Sequence, residues 1–266
     1  FRSFHVFIKI CSDGSGSHYS SHTRETYKRI FEVMIDTKKR STEVEMMDDF
    51  EIGGESLTRS LDQLAVINFL LGGNTVTVNG LKKLMKNQSK NRVYKIIDLG
   101  CGNGEMLRII AEYGRKNGYS FKLLGIDANE NTVKYAEASS SDYPEIVFQQ
   151  SNVLDATFDV DPCDIVLTTL FLHHFTEEEI IDLLKKLISK AKIGILVNDL
   201  HRHKMAYFLF RIFCLPISNK MIVNDGLISI LKGFKSEDLE KMSDQLKVKR
   251  HIKWRWAFRY QWILQQ

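Results

Sequence analysis

Between residues 93 and 197, short apolar runs of strand length alternate with longer amphipathic segments of helical period, and this alternation confines the chain to few folds. Strands are expected over 93–98, 121–126, 146–150, 164–170 and 193–197. Helices are expected over 105–117, 130–138 and 177–190, with Thr176 as N-cap of the last. Strands joined through helices run parallel, because each needs a crossover to reach its neighbour. Two more strands come from 248–264, where Ile252, Trp254, Trp256, Phe258, Tyr260 and Trp262 recur at every second position, the pattern of a terminal antiparallel hairpin. The expected fold is α/β: a seven-stranded, mostly parallel sheet with helices on both faces.

Around this core the pattern changes. Leu57, Leu61, Leu64, Ala65, Ile67 and Leu71 mark an amphipathic helix over 57–71, with Ser56 as N-cap and Gly72-Gly73 as its stop. A short helix follows over 78–86, so that residues 56–90 form a helical cap. After the fifth strand the alternation ends, and 201–234, rich in aromatic and long apolar side chains, reads as a helical lid insert. Ser236 caps a further helix through Leu246. Residues 1–45 differ in character, with a Ser/Gly-rich stretch at 12–17 and one helix expected over 23–38. They read as an N-terminal extension, flexible or non-native, that adds little to a domain spanning 46–266, with Met46 or Met47 a reasonable native start. The alternative is an arm that packs on the domain.

Apolar residues make up 44% and charged residues 26%, a balance that supports a sizeable core and excludes a disordered or fibrous chain. The formal charge of +4 is spread over short basic clusters at 38–40, 201–204 and 247–250 rather than a stripe, so nucleic acid is not an expected partner. Cys11, Cys101, Cys163 and Cys214 form no CxxC pair; no metal site is expected, and a reduced, cytoplasmic chain is. No apolar run reaches the roughly 18 residues of a membrane span, although the apolar lid would allow peripheral membrane contact.

The residues with the most chemical content are Asp98-Leu-Gly-Cys-Gly-Asn-Gly104, between a strand and a helix. Alternate glycines let the backbone turn sharply and approach a ligand without Cβ clashes, and the helix start offers free N–H groups. The spacing is G-x-G-x-G, not the G-x-G-x-x-G of dinucleotide sites. Asp98 would repel a pyrophosphate but suits a ligand carrying an ammonium and a sulfonium, as S-adenosylmethionine does. Asp127 ends the second strand, where a carboxylate can accept from ribose hydroxyls. Asn152, after the third strand, can accept from an adenine amino group or serve as a turn residue.

These elements together resemble the class I S-adenosylmethionine-dependent methyltransferases, from about residue 56 to the end. Residues 98–104 resemble the family's first motif, Asp127 resembles its ribose-binding acid, and Asn152 stands where many members carry Asp. Leu170-Phe-Leu-His-His-Phe175 resembles the Leu-His-His-Phe signature of the small-molecule branch that includes quinone-biosynthesis methyltransferases. The resemblance implies a Rossmann-like fold and S-adenosyl-L-methionine as cofactor. Its binding residues would be Asp98, Gly100, Cys101, Gly102, Gly104, Asp127, Ala128, Asn152, Val153 and Leu170.

Methyl transfer needs alignment above all, and a base only where the acceptor must lose a proton. His174 and His201, at the ends of the fourth and fifth strands, are the candidate bases; both histidines of the 173–174 pair also have a purely structural reading. His173, Arg202 and His203 are candidate substrate contacts. The expected enzyme is a methyltransferase acting on oxygen or carbon of a small hydrophobic acceptor (phenolic, quinol or polyketide-like), working as a monomer or homodimer. A non-catalytic S-adenosylmethionine-binding or partner-binding module and an RNA methyltransferase are the alternatives.

Overall fold

The computed structural model describes residues 35–49 and 52–266. The chain divides into two units, Phe1–Lys39 and Arg40–Gln266. Of the first, residues 35–39 are described and are irregular; most of the helix expected over 23–38 lies outside the described residues.

In the second unit, α1 (Gly54–Leu70) and α2 (Gly73–Met85) precede β1 (Val93–Leu99). There follow α3 (Glu105–Asn117), β2 (Ser120–Asp127), α4 (Glu130–Ser139), β3 (Ile146–Gln150), β4 (Cys163–Thr169), α5 (Glu177–Lys190) and β5 (Ala191–Leu200). Then α6 (Lys204–Phe213), α7 (Lys220–Lys232) and α8 (Ser236–Leu246) lead to β6 (Lys249–Arg255) and β7 (Arg259–Gln265). The strands form one sheet in the order β3-β2-β1-β4-β5-β7-β6. β1 to β5 are parallel, and β7 is antiparallel to both β5 and β6. The chain steps outward from β1 to β3 and restarts with β4 on the other side of β1. The resulting crevice at the carboxyl ends of β1 and β4 is where such sheets bind ligands.

Side chains alternate across the sheet and fill two cores. Tyr94 and Ile96 join Leu81 of α2 and Leu107 and Ile110 of α3 on one face, whereas Ile97 and Leu99 join Leu183 and Leu184 of α5 and Met242 of α8 on the other. Trp262 of β7 is wholly buried, and its indole N–H donates to Ser243 Oγ at 3.0 Å, which anchors the terminal hairpin to α8. Thr176 and Glu179 form a reciprocal capping box at the start of α5, as its sequence predicts. Ser56 and Ser236 are not caps; Gly53 and Lys235 hold those positions.

Two elements extend beyond the expected bounds for one reason. α2 starts at Gly73 rather than 78, and β5 runs on to Leu200 rather than 197. The added stretches are polar yet buried: the Asn198 side-chain amide donates to Gly73 O at 3.0 Å and to Thr77 Oγ1 at 2.9 Å. Hydrophobic periodicity does not register such pairs. The boundary at Met46 also moves, because the compact unit begins at Arg40. Its guanidinium donates to the carbonyls of Lys232 and His173, each at 2.8 Å, and Glu45 is only 5% exposed. Residues 40–45 are thus part of the packed domain. The insert leaves and re-enters the sheet at one point, where Phe234 N donates to Leu200 O at 2.8 Å and Arg202 N to Phe234 O at 2.9 Å. Among the described residues no single helix is long and apolar enough to cross a membrane.

Candidate active site

The loop between β1 and α3 is held from below by β2: Gly100 N and Cys101 N both donate to Ile126 O, at 2.8 and 3.2 Å. Gly100 has φ +66°, and a Cβ there would lie 2.1 Å from the Phe171 ring, so only glycine fits. At Gly102, φ +52°, the same test meets nothing nearer than Leu61 at 3.9 Å; here the loop faces open space. Asp127, at the tip of β2, accepts from Gly102 N and from Asn129 N, each at 3.1 Å, and so ties the loop to the start of α4. Burial raises its carboxyl, and these amide donors oppose the rise.

Asp98 is 2% exposed, and its Oδ1 has no hydrogen-bond partner among the described residues. Burial, and then the neighbouring charge of Asp127, push its carboxyl up to about 8. A buried carboxylate under a cradle of glycines, short of a donor, is suited to a cationic ligand group. Leu170 closes the crevice at the end of β4 with φ +54°, a left-handed conformation that strains a non-glycine residue. Asn152 Oδ1 accepts from Leu154 N at 3.0 Å, which is the turn role. Val153 points into the core and can offer only backbone; the Ala128 carbonyl accepts from Gln150 at 3.2 Å. Cys101 is buried, and burial drives its thiol upward.

The two histidines sit on a single 3-10 turn after β4, Leu172–His174. His173 is 3% exposed, and its Nδ1 lies 2.7 Å from Asp199 Oδ1. Burial opposes ionisation of Asp199, but His173, the Leu200 amide and His174 together outweigh it and hold the carboxyl below the usual range. A ring so enclosed is a structural clamp rather than a substrate contact. His174 is a quarter exposed; its Nδ1 lies 2.7 Å from Asp48 Oδ1 and 3.7 Å from Glu45 Oε1. Burial depresses this imidazole, yet Asp48 and Glu45 together raise it. Lys232 Nζ stands 3.3 Å from Glu45 Oε1 and 3.2 Å from Asp48 Oδ2. Glu45, His173 and His174 bring three donors of metal-ligand type within 4.8 Å, but the Lys232 ammonium already supplies the positive charge there. Sequence reasoning missed Glu45, Asp48, Asp199 and Lys232; the only signal was the acidic run after Met46-Met47.

His201, Arg202 and His203 lie elsewhere. His201 Nδ1 accepts from the Trp254 indole at 3.2 Å, and its ring packs against Tyr260 and Phe258. Burial, then His203, Arg202 and Lys235, push it down to about 4, a poor base; its charged neighbours come from the base of the insert and the start of α8, and none from the glycine loop. Arg202 is buried and spends its guanidinium on Gly233 O and, at 3.0 Å, on Asp238. His203 caps α6 by accepting from Met205 N. Arg202 and His203 are thus occupied in holding the base of the insert.

Above the loop, Asp62 of α1 accepts from Tyr135 at 2.7 Å and from Asn103 at 3.5 Å. Asn219, at the start of α7, donates to Ser60 and Gln63 of α1 at 3.1 Å. Between α1 and the α6–α7 connection runs a groove of about 770 Å³ lined by Asp62, Val66, Leu70, Phe213, Pro216 and Ile217 among others. Asp62 lines the groove and also meets the loop through Asn103.

A family model described as a methyltransferase domain matches residues 96–194, from β1 into β5. Over 110 residues the chain is 31% identical to "Putative methyltransferase YqeM" of Bacillus subtilis, a stretch covering 40% of this chain and 42% of that protein. The plantazolicin methyltransferase BpumL, solved with SAH, superimposes with a TM-score of 0.58 at 15% identity, over 79% of this chain and 94% of that one. The CurJ carbon methyltransferase does so with 0.54 at 12%, over 71% and 53%. The structural likenesses establish the fold, and the matched methyltransferase domain, which includes the glycine loop, makes the chain similar over residues 96–194 to S-adenosylmethionine-dependent methyltransferases.

Proposed function

We propose that the chain transfers a methyl group from S-adenosylmethionine to an oxygen or an acidic carbon of a small hydrophobic acceptor, phenolic, quinol or polyketide-like. The observation that carries this reading is Asp98: a buried carboxylate whose Oδ1 has no donor among the described residues, beneath a glycine cradle that is open at Gly102. When bound, the cofactor supplies a methyl group already activated on a sulfonium.

The chain's own residues do the rest. Asp98 and Asp127 hold the cationic and ribose ends, and the backbone of 100–104 shapes the seat between them. Leu170 and Phe171 wall the seat from the β4 side. Alignment of this kind can supply about 7–11 kcal/mol of the barrier. His174, raised and partly exposed, takes the acceptor's proton; His201, pushed low and engaged by Trp254, does not. The apolar groove beside α1 suits an acceptor with a greasy body. The structural neighbours BpumL, a plantazolicin methyltransferase, and CurJ, a carbon methyltransferase, are compatible with such acceptors.

The test is transfer of label from methyl-labelled S-adenosylmethionine to a panel of phenols, quinols and 1,3-diketones. Labelled product from at least one class is expected. Tight cofactor binding without transfer to any acceptor would point instead to a non-catalytic binding module.

A further inference from the structure

We propose that Arg259 is an anion-binding residue of the acceptor site, its guanidinium taking a carboxylate or an ionised hydroxyl oxygen of the acceptor. This rests on the methyl-transfer reading above and adds an acidic group to the acceptor class.

Arg259 opens β7, opposite Leu200 of β5 in register. It is 2% exposed, and its Nε and Nη1 have no hydrogen-bond partner among the described residues. A guanidinium presents its N–H donors in a planar fork that matches an oxyanion. Burial pushes it down to about 10, against the charge of Asp199, so at neutral pH it is still a cation. Asp199 is not its partner. Successive residues of a strand face opposite sides of the sheet, and Asp199 is spent on the other side, on His173 Nδ1 and on the Leu200 amide, each at 2.7 Å. A buried cation without a counter-ion is costly to keep in a folded chain, and a ligand oxyanion supplies the missing charge.

The surroundings of the guanidinium are polar and continuous with the cofactor seat. Gly73, at the start of α2, lies against it: a Cβ there would stand 2.8 Å from Arg259 Cζ and Nη2 and would overlap Asn68 Oδ1. That Asn68 oxygen is buried and has no partner among the described residues either. The Asn68 amide donates to Asn74, and the Asn74 amide to Glu105 at 3.2 Å, at the start of α3 beside the glycine loop. Asn198 joins Gly73 to Thr77, and Thr77 meets Thr169 at the end of β4 at 3.1 Å. The cover is thin, since Gly73 is buried while Leu71 and Gly72 before it are part-exposed. The position fits the acceptor rather than the cofactor: β4 and β5 separate β7 from β1, which is about 14 Å at the usual strand spacing.

The experiment is calorimetric binding of protocatechuate and of catechol, which lacks its carboxylate, to the full chain with S-adenosylhomocysteine added. Wild type is compared with Arg259→Met, and melting temperatures are taken for both ligand-free chains. Wild type should bind the acid about tenfold or more tightly than catechol, the scale of one charge-assisted hydrogen bond. In Arg259→Met the two should bind within about twofold of each other, with the S-adenosylhomocysteine Kd unchanged. Removing an uncompensated buried charge should also raise the melting temperature, by about 2 °C or more. A wild type without the preference, or a preference that persists in Arg259→Met, overturns the proposal. A variant that melts lower than wild type, or does not fold, overturns it as well, by assigning the guanidinium to the fold. Methyl transfer to no acceptor, with the preference for the acid intact, overturns the catalytic reading and leaves the anion site standing.

Discussion

Asp98 makes cofactor binding a pH-dependent event whose size follows from its burial. With its carboxyl pushed up to about 8, Asp98 is roughly 1% ionised at pH 6 and half ionised at pH 8, so a ligand whose ammonium requires the carboxylate gains about fifty-fold in affinity, ~2.3 kcal/mol, over that interval. The same shift sets a stability slope of opposite sense in the ligand-free chain. The folded carboxyl keeps its proton until about pH 8, whereas an unfolded one releases it near 4, so between those values the unfolded state binds fewer protons and stability falls as pH rises. Calorimetric titration with S-adenosylhomocysteine from pH 6 to 8.5 reads the first effect, and melting temperatures with and without ligand read the second. Asp98→Asn should bind more weakly and with a flat pH profile, which separates Asp98 from Asp127, also raised by burial. A wild-type Kd constant within twofold from pH 6 to 8, or a slope that persists in Asp98→Asn, would refute the reasoning.

Three further outcomes are expected. Asp127→Ala should weaken cofactor binding by roughly 1.5–3 kcal/mol, the scale of charge-assisted hydrogen bonds; unchanged affinity by calorimetry would remove Asp127 from the site. His174→Ala should lower kcat by about 10²–10⁴-fold while His201→Ala costs only a few-fold, and the reverse ranking in steady-state assays would transfer the base to the hairpin side. A chain beginning at Asp49 loses Arg40, Glu45 and Asp48 and leaves Lys232 without either carboxylate, at a cost of about 3–5 kcal/mol in urea unfolding; an unchanged midpoint would make residues 40–48 dispensable.

The sheet was legible because it is written in hydrophobic period. The strand at 146–150 and the helices at 105–117 and 177–190 fall at their expected residues, since apolar runs, a glycine stop at Gly118 and the Thr176–Glu179 box are local signals. The placement of the glycine loop after β1 and of Asp127 at the tip of β2 was legible because each follows an apolar strand directly. The His174 environment was not. Glu45 and Asp48 reach it from 125 or more positions away in sequence, and Lys232 from the far end of an insert. Buried ion pairs of that span leave no periodicity. For the same reason His201, equal to His174 on the page of the sequence, differs from it in the fold: one meets acids, the other an indole and cations.

The most direct test of the central claim is a crystal structure of the chain with S-adenosylhomocysteine. The account predicts density over residues 100–104, with ribose hydroxyls on Asp127 and the amino group directed to the Asp98 side of the loop. Ligand seated elsewhere, or none bound at millimolar concentration with the loop intact, would contradict it.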